Sequence, residues 1–409
     1  MKTRHQLFID NYIVKPFVYL LNFLVRLVGK LLSIDHSLDR DFKRIVICKF
    51  KGMGSIIQAT PMIEAIRSRY PEAEITFVST QSNRAILQKI KTINHIVTIN
   101  DKNVFILSKT VLQALFKLIR HRPEVYIDLE IYSNFSTLFT LLTFSKNRIG
   151  FYLRSSSFRM GIYTQMMFFN VKAPISEVYM QIARLFGKPA IAPKLFPIYT
   201  NIQVSNFDFP KEKYILINPN ASDLRIERRW GRKKFKELIH LINDTFPQYK
   251  VLIIGSKNEW QYSQYVTENT NSQLTQNIAG KTSIDELIYL IKNATLMVTN
   301  DTGPMHIGFA CETPSICLFG PCSPDQYGWT SNVEIIYKNV FCSPCVHDFN
   351  IAPCNGEKTC MKLITVEEVF EAVKKRLNGE ANTKDSNKKS PIIYHTEYTP
   401  SLGLVKRTL

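Results

Sequence analysis

Glycine is scarce in this chain, 16 among 409 residues, well under the usual share of about 7%. A short cluster of glycines therefore carries more information than it would elsewhere. Despite a formal net charge of +18, there is no run of five or more basic residues and no nucleic-acid-binding motif. Nucleic acid is thus the least supported partner, while an anionic membrane face and phosphorylated substrates remain open, as does simple surface solvation. No cleavable signal peptide of the usual pattern opens the chain. No uncharged run reaches the roughly 20 residues that span a bilayer, since Lys15, Arg26 and Lys30 interrupt "KPFVYLLNFLVRLVGKLL" (15–32). These absences point to the cytoplasm, where the eight cysteines are not expected to form disulfides.

What is present describes a globular protein: 45% apolar and 11% aromatic residues, in a chain long enough for two full-sized cores. Residues 1–40 read as a basic amphipathic helix, in which the stretch up to Lys30 has Lys2, Arg4, Lys15, Arg26 and Lys30 against Asp10 alone. Such a helix either lies in an anionic interface or packs on the protein's own body. A late cluster, Cys342, Cys345, Cys354 and Cys360, has the spacing C-x2-C-x8-C-x5-C. It can supply four thiolates to a structural zinc, with no open catalytic position. The alternative is a set of reduced structural thiols.

Strands and helices alternate twice. "RIVICKF" (44–50), "AEITFVS" (73–79), "HIVTI" (95–99) and "VYIDLE" (125–130) are strands, with Ser55 placed to cap the first helix and Pro61 to bend it. A less regular, proline-bearing stretch from about 145 to 210 separates them from a second series. There "YILINPN" (214–220), "YKVLIIG" (249–255), "LMVTN" (296–300) and "SICLF" (315–319) are strands, and "FKELIHLINDTF" has helical spacing. The pattern is doubly wound α/β. It divides into a Rossmann-like domain over 41–205, another over 206–378, and an aperiodic basic tail over 379–409 that reads as disordered.

Three loops of the second half, 218–230, 299–310 and "LFGPCSPDQYGW" (318–329), stand at strand ends, where open α/β sheets bind ligands. In "TNDTGPMHIGFA" (299–310), Asp301, Thr302 and Gly303 open a helix with Pro304 in its first turn, and His306 lies one turn in. The helix start is an anion site. "NPNASDLRIERRW" (218–230) brings Asn220, Ser222 and arginines whose forked guanidinium matches phosphate oxygens. A ligand containing pyrophosphate fits. In the first half, "KFKGMGSIIQATP" sets Gly52 and Gly54 in a tight turn. Position 57 is Ile, so the third glycine of a dinucleotide-binding fingerprint is missing, which weakens an oxidoreductase reading.

Four blocks together resemble glycosyltransferase family nine, the ADP-heptose:lipopolysaccharide heptosyltransferases: "KFKGMGSIIQATPMIEAIRSRYPEAEITFV", "NPNASDLRIERRW", "VTNDTGPMHIGFACETPSICLFGP", and "CSPC" followed by "CNGEKTCMKLITVEEV". The resemblance implies a GT-B architecture, two Rossmann-like domains facing a cleft. It also implies an inverting, metal-independent transfer needing no cofactor, from a nucleotide-sugar donor such as ADP-heptose to a lipid-linked or oligosaccharide acceptor, at the inner membrane surface. By the same resemblance Asp301, Thr302, Gly303 and His306 hold the donor's diphosphate and sugar, and Arg228 replaces a lysine on the phosphate. Glu259 takes the ribose hydroxyls, Lys281 and Thr282 meet the base, and Gly52 and Gly54 face the acceptor and donor sugar. Ser55 departs from the family, which carries Asp there as its general base. Inversion needs such a base, and strand alternation puts Asp128 and Glu130 on one face at a strand end. Glu130 is the preferred candidate. A non-catalytic nucleotide-sugar-binding protein is the alternative that Ser55 motivates.

Overall fold

The computed structural model describes residues 3–32, 34–154, 159–187, 195, 198, 200, 205, 207–221, 225–346, 352, 354 and 356–379. Two compact units divide at residues 196 and 197. The expected tail beyond 379 and Ser222 lie outside the described residues.

The first unit is built on β1 (Arg44–Cys48), β2 (Glu74–Thr80), β3 (His95–Ile99), β4 (Val125–Asp128), β5 (Asn147–Tyr152) and β6 (Gln165–Phe168). They pair in parallel in the order β3-β2-β1-β4-β5-β6. The second unit has β7 (Tyr214–Asn218), β8 (Lys250–Ile253), β9 (Thr275–Asn277), β10 (Leu296–Asn300), β11 (Ser315–Phe319) and β12 (Val333–Tyr337). Its order is β12-β11-β10-β7-β8-β9, again parallel. Counted from its own first strand, each sheet has the Rossmann order 3-2-1-4-5-6. Strand direction of build reverses between β1 and β4, and between β7 and β10. Those are the two places where a doubly wound sheet opens a crevice at its carboxyl edge.

The strands are short apolar runs because helices cover both faces. Ile45, Val46, Ile47 and Cys48 are all fully buried, as are Leu296, Met297 and Val298. Each covering helix turns an apolar stripe to its sheet. Arg232–Thr245 buries Phe235, Leu238, Ile239 and Ile242, the 3.6-residue spacing read from its sequence.

The structure corrects several local expectations. The part of the irregular stretch from 145 to 185 supplies β5, β6 and the helix Ile175–Leu185. The first helix is entered from Gly52, at φ +90°, not from Ser55, which lies inside its first turn. It stops at Ala59, and a second helix, Thr60–Arg69, starts with Pro61 in its first turn. The N-terminal segment, Ile9–Gly29, is long and apolar enough to cross a membrane by length and composition, despite its charges. It is nevertheless seated on its own unit by a narrow seam. Val18 is buried with Ile162, Tyr163 and Met166, and Asn22 and Arg26 come so close to Gly161 that a Cβ there would lie 1.9 Å from Asn22 Oδ1.

Candidate functional site

At the carboxyl edge of the second sheet, neighbouring strands β10, β7, β8 and β9 each contribute a loop. From β10, Thr302 leads into the helix Gly303–Ala310, which has Pro304 in its first turn and no side-chain cap. Asn218, the last residue of β7, donates to Thr299 Oγ1 (3.1 Å) and Thr302 Oγ1 (2.6 Å), fixing the helix entrance. Asn300 Nδ2 donates to Asn220 O, and Trp230 N donates back to Asn300 Oδ1. Trp230 itself is buried, with its indole N–H on Ile364 O. The arginine loop is thereby tied to the helix start.

Arg228 and Asp301 meet in this corner, Nε to Oδ2 at 3.5 Å. Both atoms are buried, and neither has a hydrogen-bond partner among the described residues; Asn220 Oδ1 is in the same condition. Buried polar atoms are nearly always satisfied, so the corner is shaped for polar groups of a ligand. Burial opposes the Arg228 charge, but it is outweighed, and the guanidinium is held above its ordinary value with Cys322 and Asp301 beside it. Cys322 is itself pushed up by burial and stays a neutral thiol, which leaves Asp301 as the countercharge. His306 is buried, and burial pulls it down to about 4 against the pull of Asp301. At neutral pH it is an uncharged hydrogen-bonding group, not a cation for phosphate.

Glu259 and the Lys281–Thr282 loop are adjacent across β8 and β9. Gly280 N donates to Gly255 O (2.8 Å), and a Cβ on Gly280 would sit 2.7 Å from Lys257 Cα. Glu259 closes a capping box, its Oε2 accepting from Ser256 N (2.7 Å) and Ser256 Oγ (2.8 Å). Asn220, Arg228, Glu259, Lys281, Thr282, Asp301, Thr302, Gly303, Pro304 and His306 thus belong to one sheet edge of one unit.

In the first unit the strand ends of β1 and β4 are joined by Glu130. Its Oε2 accepts from Lys49 Nζ (2.8 Å), and its Oε1 from Phe50 N (2.8 Å) and Lys51 N (2.9 Å). Burial pushes Glu130 up, but Lys49 and these donors more than offset it and hold the carboxyl below its ordinary value. Glu130 thereby fastens the Gly52 loop, and a carboxylate held low in this way is a weaker proton acceptor than the general-base expectation for Glu130 calls for. Asp128 is fully enclosed. It accepts from Arg159 Nη2 (2.9 Å), Ser136 Oγ (2.9 Å) and Tyr163 OH. Burial raises its pKa against the opposing Arg159. With these partners it ties β4 to the Asn134–Leu142 helix and to Arg159 and Tyr163. The Ser55 hydroxyl bonds to the buried Tyr179.

Residues 136–355, more than half of the chain, match the family described as glycosyltransferase family 9 (heptosyltransferase). The chain belongs to glycosyltransferase family 9. It is 24% identical over 358 residues to lipopolysaccharide heptosyltransferase 1 of Campylobacter coli, across 82% of this chain and 100% of that protein. The solved structure of E. coli ADP-heptose LPS heptosyltransferase II superposes with a TM-score of 0.65 at 21% identity, covering 83% of this chain and 99% of that one. A glycosyltransferase family 9 structure from Veillonella parvula gives 0.67 at 18% identity, over 84% and 100%. These likenesses establish the shared fold, the GT-B pair of Rossmann-like units.

The four late cysteines of this family 9 glycosyltransferase are reduced. Burial raises Cys345, with Cys342 and Cys354 adding to it, and burial raises Cys360 to about 11. The four thiols lie within electrostatic reach of one another, although among the described residues no three His, Cys, Asp or Glu form a group that could hold a metal ion. Sequence reasoning missed Lys49, Arg159, Tyr163 and Tyr179, the partners that occupy the candidate acids and Ser55. Lys49 directly follows β1 and had a legible signal, a cation ending an apolar run. Arg159 and Tyr163 lie 31 and 35 positions from Asp128, and nothing local announces them.

Proposed function

We propose that this chain transfers heptose, with inversion, from ADP-heptose to a lipopolysaccharide-core or other lipid-linked glycan at the cytoplasmic membrane face. The observation that carries the donor site is the buried, unsatisfied Arg228–Asp301 corner beside the uncapped start of the helix Gly303–Ala310. The diphosphate lies there, between the guanidinium and the helix N–H groups. The ribose lies toward Glu259 and the adenine toward Lys281 and Thr282. In the reaction an acceptor hydroxyl oxygen attacks the anomeric carbon, and the bond from that carbon to the diphosphate breaks. Arg228 and the helix dipole stabilise the charge that develops on the departing ADP. The acceptor is placed by the Gly52–Ser55 turn, which Glu130 positions. The hydroxyl's proton passes to water or a general base at the Gly52–Ser55 turn. The N-terminal segment and the basic surface hold the enzyme peripherally at an anionic membrane face.

The test combines a donor panel with one variant. Release of ADP from ADP-heptose, above that from other nucleotide sugars, is expected. Arg228→Ala should weaken ADP binding about tenfold or more, the loss of a charge-assisted hydrogen bond. Unchanged affinity in calorimetry would remove Arg228 from the site, and absence of turnover with every donor would leave a nucleotide-sugar-binding protein.

A further inference from the structure

The helix Val104–His121 is turned inside out for a surface helix. Its inner stripe is ordinary, with Ala114, Leu115 and Leu118 buried against β1–β3 residues such as Val78 and Val97. Its outer stripe is also apolar: Phe105 is 80% exposed, Leu112 67% and Phe116 68%. These positions follow at intervals of seven and four, so they share one face. A water-facing helix of this kind normally presents charged groups there, and exposed apolar stripes mark contact surfaces.

The charges carried by the helix and its immediate flanks have one sign, although Asp101 precedes it and Glu74 sits beside His121 at its end. From 102 to 123 there is no Asp or Glu, whereas Lys102, Lys109, Lys117, Arg120 and Arg122 are all present. Lys109, Lys117 and Arg120 are exposed on the same helix. Bulky apolar groups on a helix whose own charges are all cationic suit an anionic lipid surface, where rings enter the acyl boundary and amines meet headgroup phosphates.

This stripe is also continuous with the N-terminal segment. Gln6 Nε2 donates to Asp101 Oδ2 at 3.0 Å, joining the segment to the turn that leads into the helix. Beyond that junction the segment exposes Phe8, Phe17, Leu20, Phe23 and Leu31. Its seam toward the protein is one stripe wide, so most of its apolar side faces outward.

We propose that helix Val104–His121 is a second lipid-contacting element, which together with the N-terminal segment seats the first unit on an anionic bilayer by two apolar, cation-flanked helices. The inference rests on the membrane-surface reading above and specifies which surface makes the contact.

The experiment uses the full chain and vesicles of phosphatidylcholine with or without phosphatidylglycerol. Phe105→Ser, Leu112→Ser and Phe116→Ser combined should lower partitioning to anionic vesicles at least tenfold, with ADP affinity and thermal unfolding unchanged. The gentler pair Lys109→Glu and Lys117→Glu should weaken binding to anionic vesicles alone. Phe105→Trp should gain fluorescence quenching by brominated lipid relative to the wild-type protein. If the wild type binds and both variant sets bind equally well, the helix is not a lipid contact and only the N-terminal segment holds the membrane. If the wild type binds neither vesicle, the membrane reading itself fails. A wild-type dimer that the triple variant dissolves, without any change in vesicle binding, would assign the stripe to a second copy of the chain and overturn the proposal.

Discussion

Glu130 has two carboxylate oxygens and three donors on them, and one of those donors is the buried cation Lys49. Removing one member of a buried pair leaves the other charge uncompensated and costs about 3–5 kcal/mol. Glu130→Gln should therefore destabilise the first unit by that order in denaturant unfolding. Lys49→Met combined with Glu130→Gln should cost clearly less than the two single changes added together. The pair also sets a pH window. Glu130 is held low in the fold, so its contribution is present above the ordinary glutamate range and is lost as pH falls through the lowered value. Lys49 is held high by Glu130 although burial opposes it, so its share persists until strongly alkaline pH. Additive losses in the double variant would mean that the contact does not couple the two residues, and with it the loop-fastening role would fall.

At the scale of elements, the donor edge depends on loops that approach closely at glycine. Gly280 has φ +72°, and a side chain there would strike the Lys257 backbone. Gly280→Ala must therefore move either the Lys281–Thr282 loop or the Ser256–Glu259 turn. It should destabilise the second unit by more than about 1 kcal/mol and weaken ADP binding. Lys281→Ala should leave stability unchanged, because Lys281 is exposed. Calorimetric ADP affinity that survives Gly280→Ala intact would show that these two loops do not meet the nucleoside.

For the whole molecule, the net charge of +18 acts with the exposed apolar helices. Binding to anionic vesicles should fall steeply as salt rises to about 0.5 M, where the Debye length shrinks to a few ångströms. Deleting residues 1–32 is not a clean test of this. Gln6 accepts from Lys51 Nζ (2.6 Å) beside the Gly52 turn. Asp10 accepts from Asn134 N (3.0 Å) and Phe135 N (2.6 Å) at a helix start. The truncated chain should lose both vesicle binding and transfer, whereas Phe17→Ser with Phe23→Ser, both outward, should lose vesicle binding alone. Normal transfer to a soluble acceptor by the truncated enzyme would separate the segment from the Gly52 loop.

The sequence by itself determined the alternation of strands and helices, the two Rossmann-like halves, the helix start at Gly303 and the polar residues gathered at strand ends. Each of these is written in local spacing: apolar runs for buried parallel strands, 3.6-residue stripes for their covers, and Thr-Gly-Pro for a helix entrance. β5 and β6 were not legible, because Asn147, Arg148 and Gln165 break their apolar runs, and what makes them strands is pairing with neighbours. Only the tertiary structure decided what the acids of the first unit do. Whether a carboxylate is a base depends on which donors face it, and the donors facing Asp128 and Glu130 come from residues far along the chain, Arg159, Tyr163 and Lys49. The N-terminal helix shows the same division. Its apolar and basic composition is plain in the sequence, but a narrow seam against Gly161 and Ile162 decides which side remains for a membrane.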